Sequence, residues 1–195
     1  MKPTIAIVDY QAGNIRSLHF ALERLGARVR LTGDPEQLRR ADKVILPGVG
    51  AAGPAMARLR ETGLGCLLAE LEQPLLGICL GMQLLCRHSA EGDTPALGLF
   101  PASVCRLEGA IKVPHMGWNT LHNLRGPLFT GLPEGVALYF VHSYYAPCGP
   151  DTIACMDYGG CWSAALQREH IFGLQCHPEK SGEAGHHILK NFMNL

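Results

Sequence analysis

The sequence predicts a three-layer α/β fold: a mostly parallel central sheet with an antiparallel extension. Three observations carry this. Apolar runs in the first half are short and near-continuous rather than alternating, as strands covered on both faces require. Helix-periodic segments separate them, and such crossovers make successive strands parallel. Beyond about residue 100 the strand-like segments follow one another through turn residues, and only 183–192 reads as a helix.

Thr4 to Val8 is the first strand, ended by the loop signal Asp9-Tyr10-Gln11-Ala12-Gly13-Asn14. Ile15, Leu18, Ala21, Leu22 and Leu25 then recur at helical spacing until Gly26 stops the pattern. Asp34-Pro35-Glu36-Gln37 places an acidic cap, a proline and a reaching glutamine at a helix start. Val44-Ile45-Leu46 is the next strand, closed by Pro47-Gly48-Val49-Gly50, and a helical stretch over 51–72 breaks near Gly63 and Gly65.

Leu75-Leu76-Gly77-Ile78 is a strand, and Met82, Leu84, Leu85 and Cys86 suit a helix directly after it. The later strands are expected over 103–108, 136–145, 152–156, 162–167 and 171–176. No repeat, linker or low-complexity stretch interrupts residues 1–195, which read as one domain.

The chain has 17 basic and 17 acidic residues among 195 and no net charge. That excludes nucleic acid and anionic membrane as main partners. The apolar runs are too short to span a bilayer, and the N-terminus lacks the h-region of a secretory signal, so a cytoplasmic protein is expected. Eight cysteines, at 66, 79, 86, 105, 148, 155, 161 and 176, then read as small buried hydrophobes rather than disulfides. No C-x-x-C or H-E-x-x-H spacing is present, so neither metal nor cofactor is expected.

One cysteine stands apart. Gly77-Ile78-Cys79-Leu80-Gly81 has the nucleophile-elbow pattern with sulfur in place of oxygen, where strand turns directly into helix. Chance would yield about 0.1 such patterns around eight cysteines, so the strand–turn–helix context matters. At a helix N-terminus the free N–H groups favour the thiolate that attacks a carbonyl.

A thiol nucleophile needs an imidazole. In His177-Pro178-Glu179, at the end of the last strand, an extended backbone sets His177 and Glu179 on the same side, and the carboxylate fixes the imidazole. A plain turn histidine is the competing reading. His19, His88, His186 and His187 read as helix residues. Carbonyl attack also needs an oxyanion hole: Leu80 N–H supplies one donor and the Pro47–Gly50 loop is placed to supply another. Val49, being β-branched, resists the positive-φ turnover that glycine allows, so the hole is expected to be incomplete at rest and completed by a partner or ligand.

Through Gly77-Ile78-Cys79-Leu80-Gly81-Met82-Gln83 and His177-Pro178-Glu179-Lys180-Ser181, the chain resembles the class I (triad) glutamine amidotransferases. These have a flavodoxin-like fold, hydrolyse the glutamine side-chain amide and deliver ammonia to a second active site. Four further segments resemble the branch serving histidine biosynthesis: Asp9-Tyr10 with Gly13 to Ser17, Pro47 to Gly50, Pro114 to Asn119, and Tyr139 to Tyr145.

The resemblance implies Cys79 as nucleophile, His177 as base and Glu179 as its orienter. It implies a glutamine-binding wall from Gly50, Gln83, His142, Ser143 and Tyr144. Asn14, Trp118 and Lys180 would face the partner, a (β/α)₈-barrel synthase in a heterodimer. Glutamine would be the substrate.

Gln11 and Cys176 depart from the family pattern, Cys176 standing where an aromatic is usual. Its side chain is expected to face away from His177. Two alternatives remain open: a glutaminase subunit for anthranilate or pyridoxal phosphate synthesis, and a catalytically silent module that activates a partner.

Overall fold

In the computed structural model, which describes residues 2–10 and 15–195, the apolar runs of the first half form strands where the sequence places them. β1 (Thr4–Val8) is followed by α1 (Arg16–Arg24), β2 (Arg28–Thr32), α2 (Pro35–Arg39), β3 (Lys43–Leu46), α3 (Ala52–Glu61), α4 (Leu64–Glu70), β4 (Leu75–Ile78) and α5 (Leu80–Leu85). The second half adds β5 (Cys86–Ser89), β6 (Thr94–Pro95), β7 (Phe100–Arg106), β8 (His115–His122), β9 (Ala137–His142), β10 (Tyr144–Pro147), β11 (Thr152–Asp157), β12 (Cys161–Arg168), β13 (Ile171–Leu174) and α6 (Gly182–Met193).

β2, β1, β3, β4 and β13 lie side by side and parallel. β12, β10 and β7 continue the sheet antiparallel, while β8, β9 and β11 branch from β12. Alternate residues of each parallel strand serve opposite faces. Ile5, Ile7, Ile45 and Leu76 pack with Leu18 and Leu22 of α1 and Ile188 and Phe192 of α6. Ala6, Val8, Val44 and Leu46 pack with Leu38, Met56, Leu59 and Leu64 from α2, α3 and α4. That double burial is why these strands read as unbroken apolar runs.

Several expectations hold in detail. The Asp34 carboxylate accepts from the Glu36 N–H at 2.9 Å and from Gln37 at 3.0 Å, capping α2. Gly63, at φ 71°, separates α3 from α4.

Others need correction. β2 is not among the expected strands because it is the edge of the sheet, with the charged Arg28 and Arg30 interleaved among its residues. The helix after Cys79 is only six residues long. Cys86 is already extended, and His88, expected to close a helix, lies in β5 beside Asp93. β8 is a strand where the sequence offers only the motif Pro114 to Asn119. The run 136–145 is two strands, broken at Ser143, where the chain leaves β8 to pair with β7 and β12.

The cysteines divide differently from the expectation of uniform burial. Cys79, Cys86, Cys155 and Cys176 are buried, Cys105 is half-buried, and Cys66, Cys148 and Cys161 are exposed.

β13 positions the site. Although it follows β4 by more than ninety residues, it pairs with it in parallel, Ile78 beside Leu174. Cys79 and the segment leading to His177 therefore leave the sheet together at the strand C-termini, where open α/β sheets form their crevices.

Candidate active site

Cys79 sits at φ 54°, ψ −112°, a conformation that costs a non-glycine residue about 1–3 kcal/mol. Neighbouring backbone enforces it. A Cβ on Gly81 would strike the Leu46 carbonyl oxygen, one on Gly48 would strike the Gly81 nitrogen, and one on Gly77 would lie 2.7 Å from Gly81. The Cys79 N–H donates to Leu174 O at 2.7 Å, hooking the elbow onto β13. The buried Tyr10 hydroxyl donates to Pro47 O at 2.7 Å and braces the loop that carries Val49.

His177 is held by a polar network. Its N–H donates to Tyr139 O at 2.8 Å, and Ser181 Oγ donates to its carbonyl at 2.7 Å while accepting from the Tyr139 N–H. Nδ1 lies 2.9 Å from Glu179 Oε1, and both side chains are about nine-tenths buried. The pairing is as expected but its backbone is not. Pro178–Lys180 form a 3-10 turn, which turns Glu179 back toward the ring without extended alternation.

Burial by itself would lower the imidazole pKa. Hydrogen bonds to Cys79 and Glu179, with their negative charge, overcome it and raise His177 to about 10. The structure therefore favours an imidazolium beside the Cys79 sulfur. Other thiols lack this setting: burial pushes Cys86 up to about 12 and Cys176 higher still, so both stay protonated. Cys176 is fully buried in the apolar cluster under α6, in keeping with a packing role.

Cys79 and His177 open into a cleft of about 390 Å³. Val49, Gly50, Leu80 and Gln83 line it from the first half of the chain, and His142, Ser143, Tyr144 and Lys180 from the second. Glu179 lies behind His177, outside the cleft lining. Trp118 is away from the cleft and 58% exposed, against the edge of Tyr139. Asn14 and Gln11 lie outside the described residues.

Two histidines give the far wall a fixed polarity. His142 Nδ1–H donates to Tyr144 O at 2.8 Å, leaving Nε2 to accept from His115 Nδ1 at 3.1 Å. Burial lowers His142 to about 4 and shifts His115 in the same direction, so this pair is neutral at ordinary pH.

Sequence reasoning missed two residues here. Gln175 is fully buried; its Oε1 accepts from Gln83 at 2.9 Å and its Nε2 lies 3.8 Å from Cys79 Sγ. A polar residue inside an apolar strand, two positions before His177, was the available signal. Glu91 also lines the cleft, with Oε2 accepting from the Ala52 N–H at 2.8 Å. Nothing in its local sequence marks it.

A positive-φ cysteine on a strand–helix elbow, backed by an imidazole–carboxylate pair, defines a machine for acyl transfer from an amide, of the glutamine amidotransferase class. The family model "Glutamine amidotransferase class-I" matches residues 6–195, and the chain belongs to that family. Within it, the chain is 50% identical over 194 residues to an imidazole glycerol phosphate synthase subunit HisH from Bacteroides fragilis, covering 98% of this chain and 99% of that one. It is equally identical to the HisH of Xanthomonas axonopodis pv. citri, covering 98% and 97%. Among solved structures, PurLQS from Thermotoga maritima matches with a TM-score of 0.77 at 22% identity, covering 100% of this chain and 99% of that chain. A glutamine amidotransferase matches with a TM-score of 0.76 at 19% identity, covering 98% and 99%. At such identities the structures speak for the fold.

Proposed function

We propose that this chain is the glutaminase subunit of an imidazole glycerol phosphate synthase, docked on a (β/α)₈-barrel partner that consumes its ammonia in histidine biosynthesis. The observation that carries the reaction is the Cys79 elbow facing an imidazole raised to about 10. Full-length identity of 50% to HisH chains supports the particular synthase.

The Cys79 thiolate attacks the glutamine side-chain carbonyl. The C–N bond breaks as His177 passes its proton to the departing nitrogen, leaving a glutamyl thioester and ammonia. The same imidazole, now neutral, takes a proton from water, whose oxygen attacks the thioester. Glutamate leaves and the thiolate returns.

Glu179 holds the ring and stabilises its charged form. Leu80 N–H and the peptide at Val49 stabilise the oxyanion, and docking of the partner completes that hole. Gln83 and the His142-Ser143-Tyr144 segment, with Gly50, shape the amide pocket, and the Glu91 carboxylate attracts the substrate's α-ammonium. Gln175 aims its N–H at the sulfur. Trp118 and Lys180 face the partner. Met116 is 61% exposed on the same face of β8 as Trp118, which suits an apolar contact.

Ammonia set free in neutral water becomes mostly ammonium, which has no lone pair for attack, so hydrolysis without an acceptor site is wasteful. The test is a glutamine-like electrophile applied to the chain alone, to the chain with its barrel partner, and to both with the partner's ligand. Cys79 is labelled, and glutamine turned over, fastest in the last. Absence of label at Cys79 in the assembled complex overturns the catalytic reading; equal rates in all three overturn completion of the oxyanion hole.

A further inference from the structure

β8, β11 and β12 bring ligand-type side chains to one face of the antiparallel sheet, away from the cleft. Cys155 and His122 are direct cross-strand partners. Cys155 also pairs with Ser163, and Asp157 with Cys161, so Cys161 stands diagonally across from Cys155 on the same face. The ligand atoms of His122, Cys155 and Cys161 all lie within 4.8 Å of one another.

The turn after β10 adds a third sulfur. Cys148 Sγ is 3.7 Å from Cys155 Sγ and 3.7 Å from Cys161 Sγ, and Cys161 Sγ is 3.8 Å from His122 Nε2. A chain of hydrogen bonds fixes this turn. The Gly149 N–H donates to Thr152 Oγ1 at 2.8 Å, that hydroxyl meets Ser163 Oγ at 2.7 Å, and Ser163 Oγ donates to Pro147 O at 2.9 Å.

These separations discriminate between chemistries. A disulfide needs two sulfurs about 2.05 Å apart, whereas here one sulfur is equidistant from two others. Tetrahedral zinc with Zn–S of about 2.3 Å and Zn–N of about 2.0 Å sets its sulfurs about 3.8 Å apart and sulfur to nitrogen about 3.5 Å. Three of the six edges, the two from Cys148 and the one from Cys161 to His122, match within a few tenths of an ångström. The other contacts among His122, Cys155 and Cys161 stay within 4.8 Å, and the turn carrying Cys148 closes toward His122 as the ion binds.

We propose that His122, Cys148, Cys155 and Cys161 form a Cys₃His site for Zn²⁺. Thiolate and imidazole are the donors that select such a cation over calcium or magnesium. Four protein ligands leave no position for a reactive water, so the ion is structural. It ties the β10–β11 turn to β8 and β12. None of the four ligands lines the cleft. The Asp157 carboxylate, 3.8 Å from His122 Nε2, adds negative charge beside the cation. The ligands lie apart in the sequence and meet through strand register, which is why no metal-binding spacing announces them.

The test uses the whole chain, purified without chelator and measured for bound metal, alongside Cys155→Ser/Cys161→Ser and the remote control Cys66→Ser. The wild type and the control carry about one zinc per chain, and the double variant less than about a tenth of that. Cobalt titrated into metal-stripped wild type gives the intense thiolate charge-transfer and tetrahedral ligand-field bands. This second readout holds even if the double variant fails to fold. A wild-type chain that carries no zinc and gives no such bands overturns the site, as does a disulfide among Cys148, Cys155 and Cys161 in freshly purified protein.

Discussion

Cys79 and His177, the proposed nucleophile and base, are held by different forces. Cys79 is set by shape: Gly48, Gly77 and Gly81 let backbone approach where any Cβ would collide, and the Cys79 N–H hooks onto the Leu174 carbonyl. His177 is set by hydrogen bonds, through Tyr139, Ser181 and Glu179. A shape-held group is all-or-none, because its supports are backbone atoms that cannot retreat. A bond-held group is tunable, since each partner alters its charge and orientation by a step. The fold thus keeps Cys79 rigid and leaves pKa adjustment to His177.

The sharpest way to break that contrast is to remove the chemistry without the shape. Cys79→Ala lowers glutamine-dependent synthesis by about 10⁴-fold or more in the assembled enzyme, while synthesis from added ammonium salts persists. Loss of both activities would mean that the cysteine holds the elbow together.

On the bond-held side, Glu179→Gln keeps the size and loses the charge. Turnover of glutamine falls by about 10³-fold with the fold intact. Glu179 is one of the groups that raise His177 to about 10, so its removal moves the alkaline limb of the kcat/KM profile to lower pH. The sign for stability is fixed as well. A pKa raised in the folded state stabilises fully below about 6.5 and loses that contribution as pH rises through about 10. A variant with an unmoved alkaline limb would show that Glu179 only orients the ring.

The shape-held side responds in stability instead. Gly81→Ala drives a methyl group into the Leu46 carbonyl and costs about 3 kcal/mol, read as a lower denaturant midpoint and poor recovery of folded protein. A well-folded Gly81→Ala chain with altered pH dependence would invert the comparison.

Legibility in the sequence follows the same division. The elbow was readable because steric demands are local: glycines at fixed offsets around a cysteine, between an apolar run and a helix, leave little else. The parallel strands were readable because burial on two faces makes their residues uniformly apolar. What escaped was set by long-range register. Gln175 meets Gln83 and Cys79, and His115 meets His142, only because strands far apart in sequence pair as they do. The edge strand β2 carries too many arginines to read as a strand, and the 3-10 turn at Pro178 looks extended from composition alone.

The smallest effect tests whether the bond-held network is also a pH-sensitive part of the fold. His142 is 6% exposed, donates to Tyr144 O, and stays neutral because burial lowers it to about 4. The unfolded chain binds that proton near pH 6.5 and the folded chain does not. Stability is therefore full above about 6.5 and lost as pH falls through about 4, at up to about 1.4 kcal/mol per pH unit. His115, shifted the same way, adds to the slope, whereas His177, raised, gains stability as pH falls past its unfolded value of about 6.5 and opposes it there, equally with or without His142. Between about pH 7 and about pH 5, urea melts should therefore lose more stability for the wild type than for His142→Asn, which keeps only the His115 and His177 shares. Equal differences would mean that water reaches His142 in the folded chain, and the far wall of the cleft would then be as adjustable as the base it faces.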